Sequence, residues 1–161
     1  MTEESTAGAV IGFAADEIDP NMPTRAARLK WVVVVNRDIP AGRAVNAATC
    51  AVAATSRAVT GLLGDDAVDA SGIRHPGLPW AGCSILVADA HTLRTIRDKA
   101  ARCFGCHVAD MPAAAQHTRV YADYLAMLEE APADRIDYYA VSIVGPRKRV
   151  DKIVGKLPLM P

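Results

Sequence analysis

Hydrophobic residues fall along the chain in short unbroken runs that alternate with segments whose apolar positions recur at helical spacing. The run Trp31, Val32, Val33, Val34, Val35 is apolar on both alternating faces, which suits a central strand covered by helices on both sides. A polar turn follows at Asn36, Arg37, Asp38, Pro40 and Gly42, and then a helix from about Ala44 to Val59. That helix carries Ala44, Ala47, Ala48, Ala51, Ala53, Ala54 and Ala58, small residues that let it lie close against a sheet. Further on, CSILVA at Cys83 to Ala88 reads as a second strand. A helix with Asp89 as N-cap follows, closed by Gly105 as its left-handed residue. Cys106 opens a short third strand, CHVAD, which ends at Asp110. Arg119 to Glu130 has helical period, with Val120, Tyr124, Leu125 and Leu128 on one side. Tyr138 to Val144 is the fourth strand, and Pro146, as the first helical residue, opens a last helix that ends near Gly155.

Alternating strands and helices predict an α/β protein, a three-layer α/β/α sandwich around a four-stranded mixed sheet. The 161 residues suit one domain at 29–161. Residues 1–28, rich in Ala, Glu, Asp and Pro with turn signals at Asp19, Pro20 and Pro23, predict an N-terminal arm with little regular structure. Between Gly61 and Pro79 a loop holds Asp65, Asp66 and Asp69, and a loop of this length suggests a lid over a site.

Charge narrows the function classes. Eighteen basic residues balance eighteen acidic ones, so no global field draws the protein to nucleic acid or an anionic membrane. No apolar run approaches the ~20 residues that cross a bilayer. The start MTEES lacks the basic-then-apolar pattern of a signal peptide, so a cytoplasmic location is expected. In a reducing compartment the four cysteines are expected as thiols.

Two of them form CFGCH with His107, the local pattern of c-type haem attachment, but such attachment belongs to exported chains. Zinc needs four ligands, and a single CxxC would have to be joined by Cys50, Cys83, His91 or His107. No metal and no cofactor are expected, and small half-buried thiols are the simpler reading.

The order strand, Gly-containing turn, Ala-rich helix, then WAGCSILVADAHTLRTI, then VSIVGPRKRVDKIVGKLPL resembles the type II peptidyl-tRNA hydrolase fold. More closely, it resembles a bacterial family of unknown function built on that fold. The resemblance covers Leu29 to Leu159 and is strongest at the ending, through Gly145, Pro146, Val150, Asp151, Lys152, Gly155, Lys156 and Leu157. It implies a homodimer and a site at the turn after the first strand. The hydrolase motif there is similar to Gly-Lys-Gly-Lys, then Ala-Ala-Gln and, three positions on, His. In this chain Gly42 keeps the first position and Arg43 stands for the first lysine, while Ala44 and Val45 replace the second pair. Ala47 and Ala48 keep the alanines, but Thr49 replaces the glutamine and Val52 the histidine. Asp110 matches the acidic residue placed across the same crevice.

Ester hydrolysis needs a positioned water, a proton acceptor and donors for the oxyanion. An arginine can hold an anion but, with a pKa above about 12, cannot act as a base. Altered or lost hydrolase activity is therefore expected. The candidate site comprises Asp110 and His117 as acid and base, with Gly42, Arg43, Thr49, Thr118 and Arg119 as ligand-binding residues. Arg43 pairing with Asp38, and Asp110 as a structural carboxylate, stay open beside those roles. Arg147, Lys148, Arg149 and Lys152 form either a phosphate-binding patch at a helix start or a solvated face. The expected partner is a small anionic ligand or an RNA end. An active hydrolase or acyl-transfer enzyme on an aminoacyl or peptidyl ester, and a noncatalytic dimeric interaction module, are the alternatives.

Overall fold

The computed structural model describes residues 10–161. Strand β1 (Leu29–Asn36) is the apolar run, and it is buried along nearly its whole length. Helix α1 (Ala41–Ala58) follows at once. A two-residue hairpin, β2 (Ala67–Val68) and β3 (Arg74–His75), stands apart from the main sheet. Then come β4 (Ser84–Ala88), α2 (Ala90–Ala101), β5 (His107–Pro112), α3 (Ala114–His117), α4 (Tyr121–Glu130), β6 (Tyr138–Pro146) and α5 (Arg147–Val154).

The main sheet is four-stranded and mixed, in the order β4-β1-β6-β5. β1 runs parallel to β4 and antiparallel to β6, and β6 is antiparallel to β5. Alternation along β1 divides the core. Val32 and Val34, with Val141 and Ile143, face Leu93, Ile96 and Ala100 of α2 and Val150 and Val154 of α5. Val33 and Val35, with Ala140 and Met111, face Ala44, Ala47 and Ala51 of α1. Helices therefore cover both faces, as an all-apolar strand requires. The alanines at this interface leave α1 close enough for a buried polar chain to cross it. Trp31 Nε1 donates to Ser142 Oγ at 2.9 Å, Ser142 Oγ and Thr55 Oγ1 are 2.7 Å apart, and Thr55 Oγ1 lies 2.9 Å from the Ala51 carbonyl.

Several boundaries differ from those the sequence predicts. α1 begins at Ala41, because Pro40 at φ −55° serves as its N-cap; Gly42 and Arg43 thus lie inside its first turn. β5 continues past Asp110 to Pro112, paired with β6 up to an irregularity at Met111 and Pro112. α4 begins at Tyr121, and α3 adds a turn before it. Pro146 is the N-cap of α5 and not its first residue. Asp89 caps α2 as predicted, accepting from the Thr92 N–H at 2.8 Å. Past Gly155 the chain returns to the sheet. The Val87 N–H donates to the Pro158 carbonyl and the Met160 N–H to the Ile85 carbonyl, covering the outer edge of β4.

Of the predicted arm, residues 1–9 lie outside the described residues. In 10–28 there are two single 3-10 turns, Ala15–Glu17 and Thr24–Ala26. Phe13 inserts beside Trp31, Val59 and Leu62 and meets the Trp80 ring edge-on at 4.8 Å. Arg28 clamps this segment through Glu17 at 2.5 Å and the Gly12 carbonyl at 2.8 Å. No helix among the described residues is long and apolar enough to cross a membrane.

Candidate functional site

Arg37 leans toward Asp38 at 3.8 Å and Asp89 at 3.6 Å. Arg43 is exposed, and among the described residues its guanidinium has no carboxylate within ion-pair distance, so the Arg43–Asp38 pair is not formed. A Cβ on Gly42 would meet nothing within 4 Å, so the glycine there serves no close approach of protein atoms. Thr49 Oγ1 donates back to the Val45 carbonyl at 2.8 Å, in its own helix.

Asp110 lies elsewhere. It shares a face of the sheet with Val108, and its carboxylate accepts from Arg97 Nε of α2 at 3.0 Å. Arg43, at the start of α1, does not line the cavity that Asp110 lines, so the predicted cation and carboxylate do not share a crevice. Sheet alternation decides this: Met111, one residue on, is the one that points to α1. Arg97 also lies over the Tyr138 ring, 5.5 Å from its centroid.

His117 is separated from Asp110 as well. Its Nε2 lies 3.3 Å from Tyr139 Oη, and the ring lines a cavity of about 250 Å³ with Ala113, Met127, Leu128 and Ile136. Asp110 lines a different one, so the acid–base pair is not assembled. The terminal basic cluster also disperses. Arg147 donates to the Thr24 and Ala27 carbonyls, Arg149 donates to the Phe104 carbonyl, and Lys148 and Lys152 point to solvent.

Three of the predicted residues do converge. Asp110, Thr118 and Arg119 line a cavity of about 540 Å³ between α1, the free edge of β5 and the start of α4. Its apolar part is Cys50, Ala53 and Ala54 from the outer side of α1, with Met111, Ala115 and Val120. Tyr121 and Tyr124 complete it, their rings 5.4 Å apart. Small residues at 50, 53 and 54 leave space that larger side chains would fill. Gln116 of α3 holds the wall in place by donating to the Arg43 carbonyl at 2.9 Å and to Asn46 Oδ1 at 3.1 Å.

The electrostatics of this cavity are simple. Asp110 is paired with Arg97, whereas Arg119 is exposed with no carboxylate within ion-pair distance among the described residues. Burial, followed by the nearby Asp110 and Tyr121, pushes the Tyr124 phenol above its usual range, so it stays a neutral hydrogen-bond donor. The lining contains no histidine or lysine, and so no nucleophile paired with a base of those types. Such a site can hold an anion on Arg119 and Tyr124 and an apolar body over the alanines.

The sequence marked none of Tyr121, Tyr124 and Arg97 as a site residue, and Cys50 only as a conceivable zinc ligand. Tyr124 sits on the expected apolar side of α4 and reads there as a packing residue, yet no residue of α4 is fully buried. The 61–79 loop is tied at its base by the Gly64 N–H to the Leu78 carbonyl and lies against Ile18 and Pro20, away from this cavity. Among the described residues no three His, Cys, Asp or Glu side chains converge to hold a metal.

The profile of a family described as a protein of unknown function, DUF2000, matches residues 29–161. No curated protein matches the chain. Among solved structures, a protein of unknown function from Agrobacterium tumefaciens strain C58 is similar, with a TM-score of 0.75 at 18% identity, covering 83% of this chain and 98% of that one. At that identity the likeness speaks to the fold alone.

Proposed function

We propose that this chain, which belongs to the DUF2000 family, binds a small organic anion in the cavity between α1, β5 and α4 and does not hydrolyse peptidyl-tRNA. The observation that carries the reading is the convergence of Arg119, Thr118 and Tyr124 over the small residues of α1 in about 540 Å³, a volume suited to one small ligand. Asp110 takes a supporting role: neutralised by Arg97, it leaves Arg119 as the charge that meets the ligand. A peptidyl-tRNA hydrolase-like ancestry of the fold is supported by the strand, Gly42 and Ala-rich helix and by the chain's ending. Against the reaction stand Val45, Thr49 and Val52 in the motif and the separation of Asp110 from Arg43 and His117.

The test is calorimetric and thermal titration with benzoate, hexanoate, phenyl phosphate and inorganic phosphate. An aryl or alkyl anion should bind more tightly than inorganic phosphate. Losing a charge-assisted hydrogen bond costs roughly 1.5–3 kcal/mol, so Arg119→Ala should weaken binding about 10- to 100-fold. Tyr124→Phe should weaken it a few-fold. Equal binding by wild type and Arg119→Ala, or no binding by any probe, rejects the reading. In parallel, N-acetyl-aminoacyl-tRNA should hydrolyse no faster with the protein than without it. Clearance that Asp110→Ala abolishes would favour an active hydrolase instead.

A second reading has its own observation. Tyr121 is 73% exposed, Leu125 52% and Met127 45%, all on α4, and Val45 on α1 is 57% exposed. Such a surface suits a homodimer formed through α4. Leu125→Lys should leave a monomer in light scattering if α4 forms that interface, and a mass that does not change rejects it.

A further inference from the structure

The CFGC segment takes no part in the cavity between α1 and α4, and its geometry is specific. α2 ends at Ala101, and the chain reverses through the four residues Cys103 to Cys106. The Cys106 N–H donates to the Cys103 carbonyl at 3.1 Å, and Gly105 at φ +77° provides the left-handed residue that such a turn needs at its third position. A turn of this kind brings its end residues within the Cα separation that a disulfide bridges. The side chains follow: both cysteines are free thiols, half-buried, with their Sγ atoms 2.6 Å apart.

The surroundings preserve that juxtaposition. Gly145 of β6 lies behind Cys106, and a Cβ there would stand 2.6 Å from Cys106 Sγ, so any larger residue would displace the thiol. Arg149 of α5 donates to the Phe104 carbonyl and places its guanidinium over the Phe104 ring, 5.9 Å from the centroid. The turn is thereby held from both sides. Cys50 lies on α1 and Cys83 just before β4, away from this turn.

We propose that Cys103 and Cys106 form a reversible intrachain disulfide, oxidised by low-molecular-weight disulfides and reduced by small thiols. The Cys103 thiolate attacks one sulfur of the small disulfide, whose S–S bond breaks and releases one thiolate. Cys106, having lost its proton to solvent, attacks Cys103 Sγ in the mixed disulfide and expels the second thiolate. The net change is two cysteine thiols plus one small disulfide giving one protein disulfide plus two small thiols. Cys103 acts first because Gly145 shields Cys106 from the sheet side, and burial followed by the Cys103 neighbour pushes the Cys106 thiol up to about 12.

The full chain, fully reduced, is equilibrated in buffers graded from glutathione to glutathione disulfide, quenched in acid, alkylated with N-ethylmaleimide and read by intact and peptide mass. Labelled thiols should fall from four to two, with both lost from the peptide that contains Cys103 and Cys106. Excess glutathione should restore all four. Cys106→Ser should stop at one glutathione bound to Cys103. Four labelled thiols in the most oxidising buffer, loss from Cys50 or Cys83, or a 103–106 bond that excess glutathione does not reopen each overturns the proposal; the wild-type count decides even if a variant does not fold.

Discussion

Replacing Ser142 by alanine should reveal how α1 is held to the sheet. One ordering of the hydrogens satisfies the whole buried chain: Trp31 N–H to Ser142, Ser142 O–H to Thr55, and Thr55 O–H to the Ala51 carbonyl. Ser142 and Thr55 are 0% exposed and Trp31 only 5%, so water cannot replace a lost partner. Ser142→Ala removes both the acceptor for the indole N–H and the donor to Thr55, and an orphaned buried donor costs roughly 1–3 kcal/mol. We expect about 2 kcal/mol, which at this chain length lowers the melting temperature by about 4–8 °C. Urea unfolding followed by tryptophan fluorescence and far-ultraviolet circular dichroism gives the free energy directly. Trp31→Phe and Thr55→Val should each cost about 1–2 kcal/mol more than their changes in size explain. The triple variant, in which no polar group remains unpaired, should be clearly more stable than the sum of the three single effects. A Ser142→Ala loss below about 0.5 kcal/mol, or strict additivity in the triple variant, refutes the reasoning.

Other expectations follow from the same geometry. Gly42→Ala should stabilise the protein by up to about 1 kcal/mol, because the residue is helical and its new Cβ meets open space; a destabilised variant in urea titration would contradict this. Arg97→Met should cost about 1 kcal/mol, since the pair with Asp110 is partly solvated, and it should also weaken anion binding by leaving Asp110 unneutralised near Arg119. The Arg28 hydrogen bond, followed by the Ala14 N–H, holds the Glu17 carboxyl down at about 2. Because that pKa is depressed, the clamp on residues 10–28 is complete above the ordinary value of 4.5 and weakens as pH falls from there toward 2. Carboxyl chemical shifts should show a Glu17 midpoint near 2, and a midpoint above 4 would break the argument.

The legible parts of the chain are those where a local rule and the tertiary demand agree. Val32 to Val35 had to be a central strand because both faces are apolar, and Asp89 had to cap α2 because its side chain satisfies an N–H of its own first turn. The site was legible only in part. Asp110, Thr118 and Arg119 meet in one cavity as polar residues near a strand end suggested, whereas His117, one residue from Thr118, turns to Tyr139. Its direction depends on the turn of α3, which no periodicity announces.

The amino-acid order by itself determined the alternation of strands and helices, the central place of β1 and the close-packed character of α1, because these rest on side-chain size and period within a few residues. Only the tertiary structure decided which face each site residue occupies. Asp110 and Arg43 seemed to share a crevice, but strand alternation turns the carboxylate to Arg97 of α2, and the cavity that Asp110 lines meets α1 at residues 50–54, about two turns beyond Arg43. The cavity likewise draws its walls from residue 50 to residue 124, brought together by sheet order and helix packing across separations that no local rule spans.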